Sequence, residues 1–471
     1  MSEPTARLPV LDRRRAGVLL HPSALIGTLP AGAASHGAAR GALGAASRAF
    51  IDWLAAAGCS VWQVLPLGPV GADGSPYWVR SDQAGYTALI DLEEAPDPVG
   101  ERAGFEAWCA REAHWLDDYV LFAALSQAHA RRPWWTWEPP LAQRQPQALA
   151  AARARLAGEL DALRVGQWRF ARQWSALREY AHARGVRLFG DLPIYIAPDS
   201  VATWSQRGQF QLAADGQPAA LAGVPPDYFS ADGQLWGNPL YDWEQAQRDG
   251  FRFWRERFAS QLERFDLVRI DHFRGLAGFW SVPAGAATAR EGRWVPAPGA
   301  ELLAALRADT GDLPVVAEDL GVITPDVDAL RHDFALPGMR VLQFGFDGSP
   351  GNPHLPYNYA RDTVAYTGTH DNDTTRGWYD ALDAQTAQRV ALHLGCEHHG
   401  SLPWAAIRAA LASVAVLAIV PLQDVLGLGA EARFNVPGTV GGNWRWRAPA
   451  VAPGPQEAAT LRALVASFGR L

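Results

Sequence analysis

The sequence predicts a (β/α)8 TIM barrel, and three observations predict it. Short apolar, β-branched runs ending in polar or glycine-rich turns recur eight times, the pattern of strands buried on both faces of a parallel sheet. Helix-like segments stand between several of them. Four of the runs finish on an acidic residue, and the C-terminal ends of the strands are where such a barrel carries its chemistry.

The expected strands lie near Gly17 to Leu20, Val61 to Leu65, Val186 to Gly190, Leu267 to Asp271, Val315 to Glu318, Arg340 to Phe344, Thr363 to Thr367 and Ala418 to Gln423. The clearest crossover helix is Trp168 to Arg184, where Phe170, Trp174, Leu177 and Ala181 recur at helical spacing before Gly185 ends it. Two gaps are too long for plain crossovers. A single catalytic barrel domain over 1–471 is therefore expected to carry two insertions. The first is a largely helical subdomain at 66–185, after the second strand. The other, at 197–265 after the third strand, contains the glycine- and proline-rich stretch 222–241, which reads as a long ordered loop over the barrel mouth. Too few residues follow the eighth strand to build a separate C-terminal β domain.

Composition narrows the function. With 48% hydrophobic residues, 19% charged and a net charge of −7, the chain is an ordinary globular protein. Nucleic acid is not expected as a partner, because Arg13, Arg14 and Arg15 form only a short basic stretch. Cys59, Cys109 and Cys396 fit neither a disulfide framework nor a zinc pattern. No secretory signal is read at the N-terminus, and the apolar run Leu411 to Leu422 is too short to span a bilayer. A cytoplasmic location without membrane attachment is expected. The sequence contains no lysine, which excludes Schiff-base chemistry and a phosphate-binding P-loop. Its 20 tryptophans supply flat faces that suit sugar rings, although most such residues simply fill a core.

The strand-end acids are Asp191, Asp271, the pair Glu318 and Asp319, and those of the turn Thr367 to Asp373. An ionised carboxylate beside a buried apolar strand is costly unless paired, hydrated or used. Cleavage of a glycosidic bond uses converging carboxylates: one protonates the leaving oxygen while another supports an oxocarbenium-like carbon. A metal site is the competing use, with His272 or His370 joining three carboxylates. No HExxH or paired-histidine spacing accompanies them, and the aromatics favour a sugar.

Three segments go further. VRIDHFRG (268–275), AEDLG (317–321) and THDNDTT (369–375) resemble signature segments of the α-amylase superfamily, and more narrowly those of the amylomaltases or disproportionating enzymes, the 4-alpha-glucanotransferases of glycoside hydrolase family 77. GVLLHPSAL from Gly17, WQVLPLGP from Trp62, GDLPIYIAPDS from Gly190, GVPPDYFSADGQLWGNPLY from Gly223, PGMRVLQFGFD from Pro337 and PLQDVLGLGAEARFNVPGT from Pro421 extend the resemblance to about residue 447.

The resemblance implies a retaining transfer of an α-1,4-glucan segment to the 4-hydroxyl of glucose or a maltooligosaccharide, with no cofactor and no metal. Asp271 would be the nucleophile, Glu318 the acid/base and Asp371 the carboxylate gripping sugar hydroxyls, with the first two carboxyls about 5 to 5.5 Å apart. Arg269, on the same strand face as Asp271, would keep the nucleophile ionised. His370 and Asp191 would serve the donor subsite, and Tyr77 and Trp236 the acceptor subsites. Tyr228 and Phe229 would cover the intermediate against water. Ser75, Asp347 and Asn443 complete the implied substrate contacts. Two departures stand out: SDQAGYTALI at 81–90 replaces the family's usual SAFAGNPLLI, placing Tyr86 and Thr87 where Asn-Pro is common, and no acid stands between Asp199 and Trp204. A hydrolase of the same fold, a non-catalytic glycan-binding barrel and a metal-dependent sugar isomerase are the competing functions.

Overall fold

The computed structural model describes residues 10–25, 41–71, 73–226, 231–396, 399–439, 441–449 and 453–471. Twelve strands occur among them, in chain order β1 (Arg15–Leu19), β2 (Val61–Gln63), β3 (Arg187–Leu192), β4 (Ala220–Val224), β5 (Gln234–Pro239), β6 (Leu267–Ile270), β7 (Gly278–Pro283), β8 (Arg293–Pro296), β9 (Val315–Ala317), β10 (Gly338–Val341), β11 (Thr363–Tyr366) and β12 (Leu417–Pro421). Eight form a parallel sheet in the order β10-β11-β12-β1-β2-β3-β6-β9. The sheet closes between β9 and β10, where Ala317 N–H donates to Pro337 O at 2.9 Å. Asp319 reinforces that seam by accepting the Met339 N–H at 2.6 Å.

Each expected strand overlaps one of these barrel strands. Their residues are buried almost throughout, so branched apolar side chains are in contact with the barrel interior on one face and with helices on the other. Burying each Val or Ile contributes about 1.5–3 kcal/mol. Gly17 in β1 is required by close packing: a Cβ there would lie 2.5 Å from Val61 O and 2.6 Å from Ile419 Cδ1, on the two flanking strands. The expected run Arg340 to Phe344 stops at Val341, because Leu342–Gly345 coils into a 3-10 turn.

Between β2 and β3 run two long helices, Arg102–Ala128 and Ala157–Ala183. The second serves two cores. Phe170, Trp174, Leu177 and Ala181 are buried against the barrel, whereas Trp168 enters a satellite cluster with Trp108, Leu116, Trp134 and Trp204. Gly185, at φ 73, follows the helix in the left-handed region.

The stretch read as a loop at 222–241 is corrected by the structure. Its flanks pair as antiparallel strands β4 and β5, and β4 also pairs with β7, giving a four-stranded sheet in the order β5-β4-β7-β8. Residues 227–230, including Tyr228 and Phe229, lie outside the described residues. Among the described residues no strand follows β12, and no helix is long and apolar enough to cross a membrane.

Candidate active site

Arg269 organises the centre. It sits in β6 two residues before Asp271, so both side chains project to the same side. Its guanidinium donates to Asp271 Oδ1 at 2.5 Å, to the Tyr77 hydroxyl at 3.1 Å and to the Asp191 carboxylate. Asp191 lies in β3 directly opposite Arg269 in the strand register, and is 1% exposed. Tyr77 donates its hydroxyl to Asp191 at 2.8 Å. Burial opposes the charge on Arg269, yet Asp191 and Asp271 together hold its pKa well above the ordinary value. The sequence reading put Asp191 in the donor subsite. Here it is buried beside Arg269, bonded to Arg269 and Tyr77.

Glu318 follows β9 as Asp271 follows β6, and the residues before them, Ala317 and Ile270, are register partners. Adjacent strands lie about 4.7–4.9 Å apart, so the two carboxyls start from neighbouring points on one rim. Glu318 Oε2 accepts the His272 N–H at 2.7 Å and Oε1 accepts the Leu320 N–H at 2.9 Å. His272 adopts a left-handed conformation at φ 50, ψ 49, uncommon for a residue with a side chain and a form of strain found at functional sites. Both carboxyls are driven up by burial. Asp271 is pushed to about 8, with Arg269 pulling it down and Asp191, Glu318 and Asp371 pushing it up. Glu318 is raised by burial against the opposing pull of Arg269 and its two backbone donors. Two carboxyls so placed titrate as a pair. The direct bond from Arg269 favours the anion on Asp271.

The third acid arises from the turn after β11. Asp371 Oδ1 accepts from Asn435 Nδ2 at 2.6 Å, and its carbonyl accepts from Arg433 at 2.7 Å. His370 Nε2 lies 3.3 Å from Asp371 Oδ1, and the His370 ring stacks on Tyr77 with centroids 5.1 Å apart. Trp444 packs beside both rings at about 6 Å. Burial lowers the pKa of His370, favouring neutral imidazole. Asp424, buried just beyond β12, clamps both ends of the turn: it accepts from the Thr367 hydroxyl at 2.6 Å and from the Thr375 N–H and hydroxyl, each at 2.7 Å.

Other expected contacts are spread more widely. Ser75 Oγ accepts the Tyr77 N–H at 3.2 Å and so orients that segment. Trp236 stands on β5 with its ring edge-on to His272, centroids 4.7 Å apart. Asn443 bonds the 436–439 turn through its Oδ1 and Nδ2. Asp347 is exposed and accepts the Ser349 N–H at 2.8 Å; among the described residues it makes no bond to the carboxylate cluster. Tyr86, the unusual residue of the 81–90 segment, donates its N–H to Leu67 O at 2.7 Å and bonds to none of the three acids. Sequence reasoning did not single out Asn435, Arg433, Asp424 or Trp444 as members of the site, and named His272 only for the competing metal site. Asn435 and Arg433 lie inside the string EARFNVPGT, whose density of polar groups just after the last strand was the available signal. Among the described residues there is no group of three or more His, Cys, Asp or Glu able to hold a metal ion.

The family model described as 4-alpha-glucanotransferase, glycoside hydrolase family 77, matches residues 32–99 and 94–452, which include all three acids. A 4-alpha-glucanotransferase of Thermus thermophilus is 45% identical over 505 aligned positions, covering 97% of this chain and 99% of the relative. One from Synechocystis is 44% identical, covering 93% and 94%. Among solved structures, the amylomaltase from Streptococcus agalactiae in complex with acarbose superposes with a TM-score of 0.91 at 33% identity, covering 97% of this chain and 100% of that one. Sequence, barrel and matched length agree: the chain belongs to the 4-alpha-glucanotransferases of glycoside hydrolase family 77 and is an enzyme with that activity.

Proposed function

We propose that the enzyme transfers a segment of an α-1,4-glucan to the 4-hydroxyl of glucose or another maltooligosaccharide by double displacement with retention. Asp271 attacks the anomeric carbon while Glu318 gives its proton to the departing glycosidic oxygen. The leaving sugar departs, and a glucosyl ester on Asp271 remains. Glu318, now ionised, takes the proton of the acceptor hydroxyl as that oxygen attacks the same carbon and frees Asp271. Asp371 and neutral His370 grip hydroxyls of the donor sugar and favour its distorted ring. Tyr77 and Trp236 present rings to the acceptor side.

The observation that carries this reading is the differential setting of two neighbouring carboxyls. Asp271 is bonded to a buried guanidinium, and Glu318 is bonded only to backbone N–H groups. One is thereby suited to be the anion and its neighbour the acid. The acarbose bound by the Streptococcus agalactiae amylomaltase supports a maltooligosaccharide-like ligand for a site of this kind.

Incubation with maltotriose, with products resolved by chain length, tests the reading. Longer maltooligosaccharides appearing together with glucose are expected, as is their disappearance in Asp271→Asn. Glucose and maltose alone would mean that water is the acceptor. Tyr228 and Phe229 are assigned to excluding that water, so Tyr228→Ala combined with Phe229→Ala should raise hydrolysis relative to transfer; an unchanged ratio would remove them from this role.

A further inference from the structure

Arg257 carries a buried charge that the proposed mechanism does not use. It stands on the helix Arg252–Arg264, which leads into β6, and is 2% exposed. Its guanidinium donates to the Asp82 carboxylate, to Pro193 O, to Ile194 O at 3.1 Å and to the Tyr241 hydroxyl at 3.2 Å. Tyr241 in turn donates its hydroxyl to Ile194 O at 2.6 Å, and Gln261, one turn further along the helix, donates to Asp82 O at 3.1 Å. The Asp82 side chain is 10% exposed, so the pair is shielded from water and salt.

The same two stretches of chain meet again at Arg269. Tyr77 lies shortly before Asp82, and Asp191 shortly before Pro193. Arg269 bonds to Tyr77 and Asp191 as Arg257 bonds to Asp82 and Pro193. Two guanidiniums thus bridge 77–82 to 191–194, and one small cavity is lined by Tyr77, Asp82, Asp191, Pro193 and Arg257 together. An arginine fork holds its donors in a fixed plane and so sets the spacing of the groups it joins, which a lysine point charge does not. That spacing matters for turnover, because Tyr77 and Asp191 share Arg269 with Asp271, and a displacement of about 1 Å can cost about a hundredfold in rate. The 193–194 turn reaches the acid as well. A Cβ added at Gly275 would lie 2.6 Å from Ile194 Cδ1, so the turn packs against the segment whose His272 N–H holds Glu318. Among the described residues neither Arg257 nor Asp82 bonds to Asp271, Glu318 or Asp371, so both act through other groups.

We propose that Arg257 and Asp82 are positioning residues for the transfer reaction: they fix where Tyr77 and Asp191 meet Arg269, and through Arg269 the carboxylate of Asp271. The proposal rests on the reading of Asp271 as the nucleophile. Asp82→Ala combined with Arg257→Met removes the bridge as a pair and strands no buried charge, so the protein is expected to fold. Its kcat for maltotriose disproportionation should fall about tenfold, with KM changing less than about twofold. Arg257→Lys keeps the charge beside Asp82 without the fork; its kcat should fall in the same way, and it decides the matter if the first variant does not fold. The discriminating background is Tyr77→Phe, which removes the hydroxyl shared by Asp191 and Arg269. There the same changes should cost less than about twofold, because residues acting through one network are not additive. Equal losses in the two backgrounds would make the bridge a brace of the fold only and overturn the proposal, as would an unchanged kcat in the parent background. The comparison uses transfer rates alone. Full activity in Asp271→Asn would therefore sink the nucleophile reading while the coupling between Arg257 and Tyr77 was still measured.

Discussion

Arg269 ties three groups from different parts of the chain, Tyr77, Asp191 and Asp271, to one buried cation. Removing one partner of such a buried pair commonly costs about 3–5 kcal/mol, because the remaining charge has no water to turn to. Arg269→Gln should thus lose activity and a large share of stability together, seen as a lower midpoint in urea. Asp271→Asn should lose activity while folding normally, since its carboxyl reaches partly to solvent. Glu318→Gln should lower kcat/KM by about 10²–10⁴, the usual worth of general acid–base catalysis. It should recover most with a donor whose leaving group needs no proton. The pH profile follows from the directions of the shifts. Burial raises both carboxyls, so the pair keeps its last proton above the usual carboxylate range of about 4. On the proposed mechanism, activity should rise as the first proton leaves and Asp271 ionises, then fall as the second leaves and Glu318 can no longer protonate the leaving oxygen. The descending limb is expected above the usual carboxylate range, because burial raises Glu318. Glu318→Gln has no second proton to lose, and a descending limb that persisted in that variant would remove Glu318 from the acid role.

At the scale of elements, the turn after β11 shows how a site side chain is held by residues far away in sequence. Asp424 joins Thr367 to Thr375 across the turn that carries His370 and Asp371. Asp424→Asn keeps the shape but loses acceptor capacity for three donors. A stability loss of about 1–3 kcal/mol is expected, together with a fall in kcat on maltotriose that exceeds any change in KM, because Asp371 is displaced without its chemistry changing. Thr367→Ser keeps its hydroxyl and should behave as the parent. Equal losses of kcat in Asp424→Asn and in an unrelated, equally destabilised variant would mean that the clamp is structural only. This clamp was not legible in the sequence. Asp424 follows a strand as Glu318 does, and only the contacts with Thr367 and Thr375 distinguish a clamp from a catalytic acid. The barrel strands were legible because burial on both faces forces continuous apolar runs. β4 and β5 were not. Their pairing is with each other and with β7 far downstream, and their glycines and prolines read locally as loop.

The whole molecule depends on a closed sheet, and closure is thinnest at the seam between β9 and β10. The other neighbouring barrel strands share continuous register, whereas here Ala317 N–H reaches Pro337 O and the next positions are bridged by a side chain. Asp319 accepts the Met339 N–H at 2.6 Å and pairs with Arg340 at 3.1 Å and Arg331 at 3.6 Å, with its own side chain 1% exposed. Gly338 leaves the room for it, since a Cβ there would fall 2.3 Å from Asp319 Oδ2. The sequence showed Asp319 only as a second acid beside Glu318, because a seam is a property of two strand ends that meet after the barrel has closed. Asp319→Ala leaves a buried N–H and two guanidiniums short of a partner, so a loss of about 3–5 kcal/mol is expected, against a total stability of about 5–15 kcal/mol for a folded domain. Glu318 is the adjacent residue, so opening the seam should also displace the acid. Amide exchange would separate this from general weakening: the amides of β9 and β10 should lose protection before those of β1 and β2 on the opposite side of the barrel. Uniform loss around all eight strands would show that Asp319 stabilises the fold without specifically holding the barrel shut.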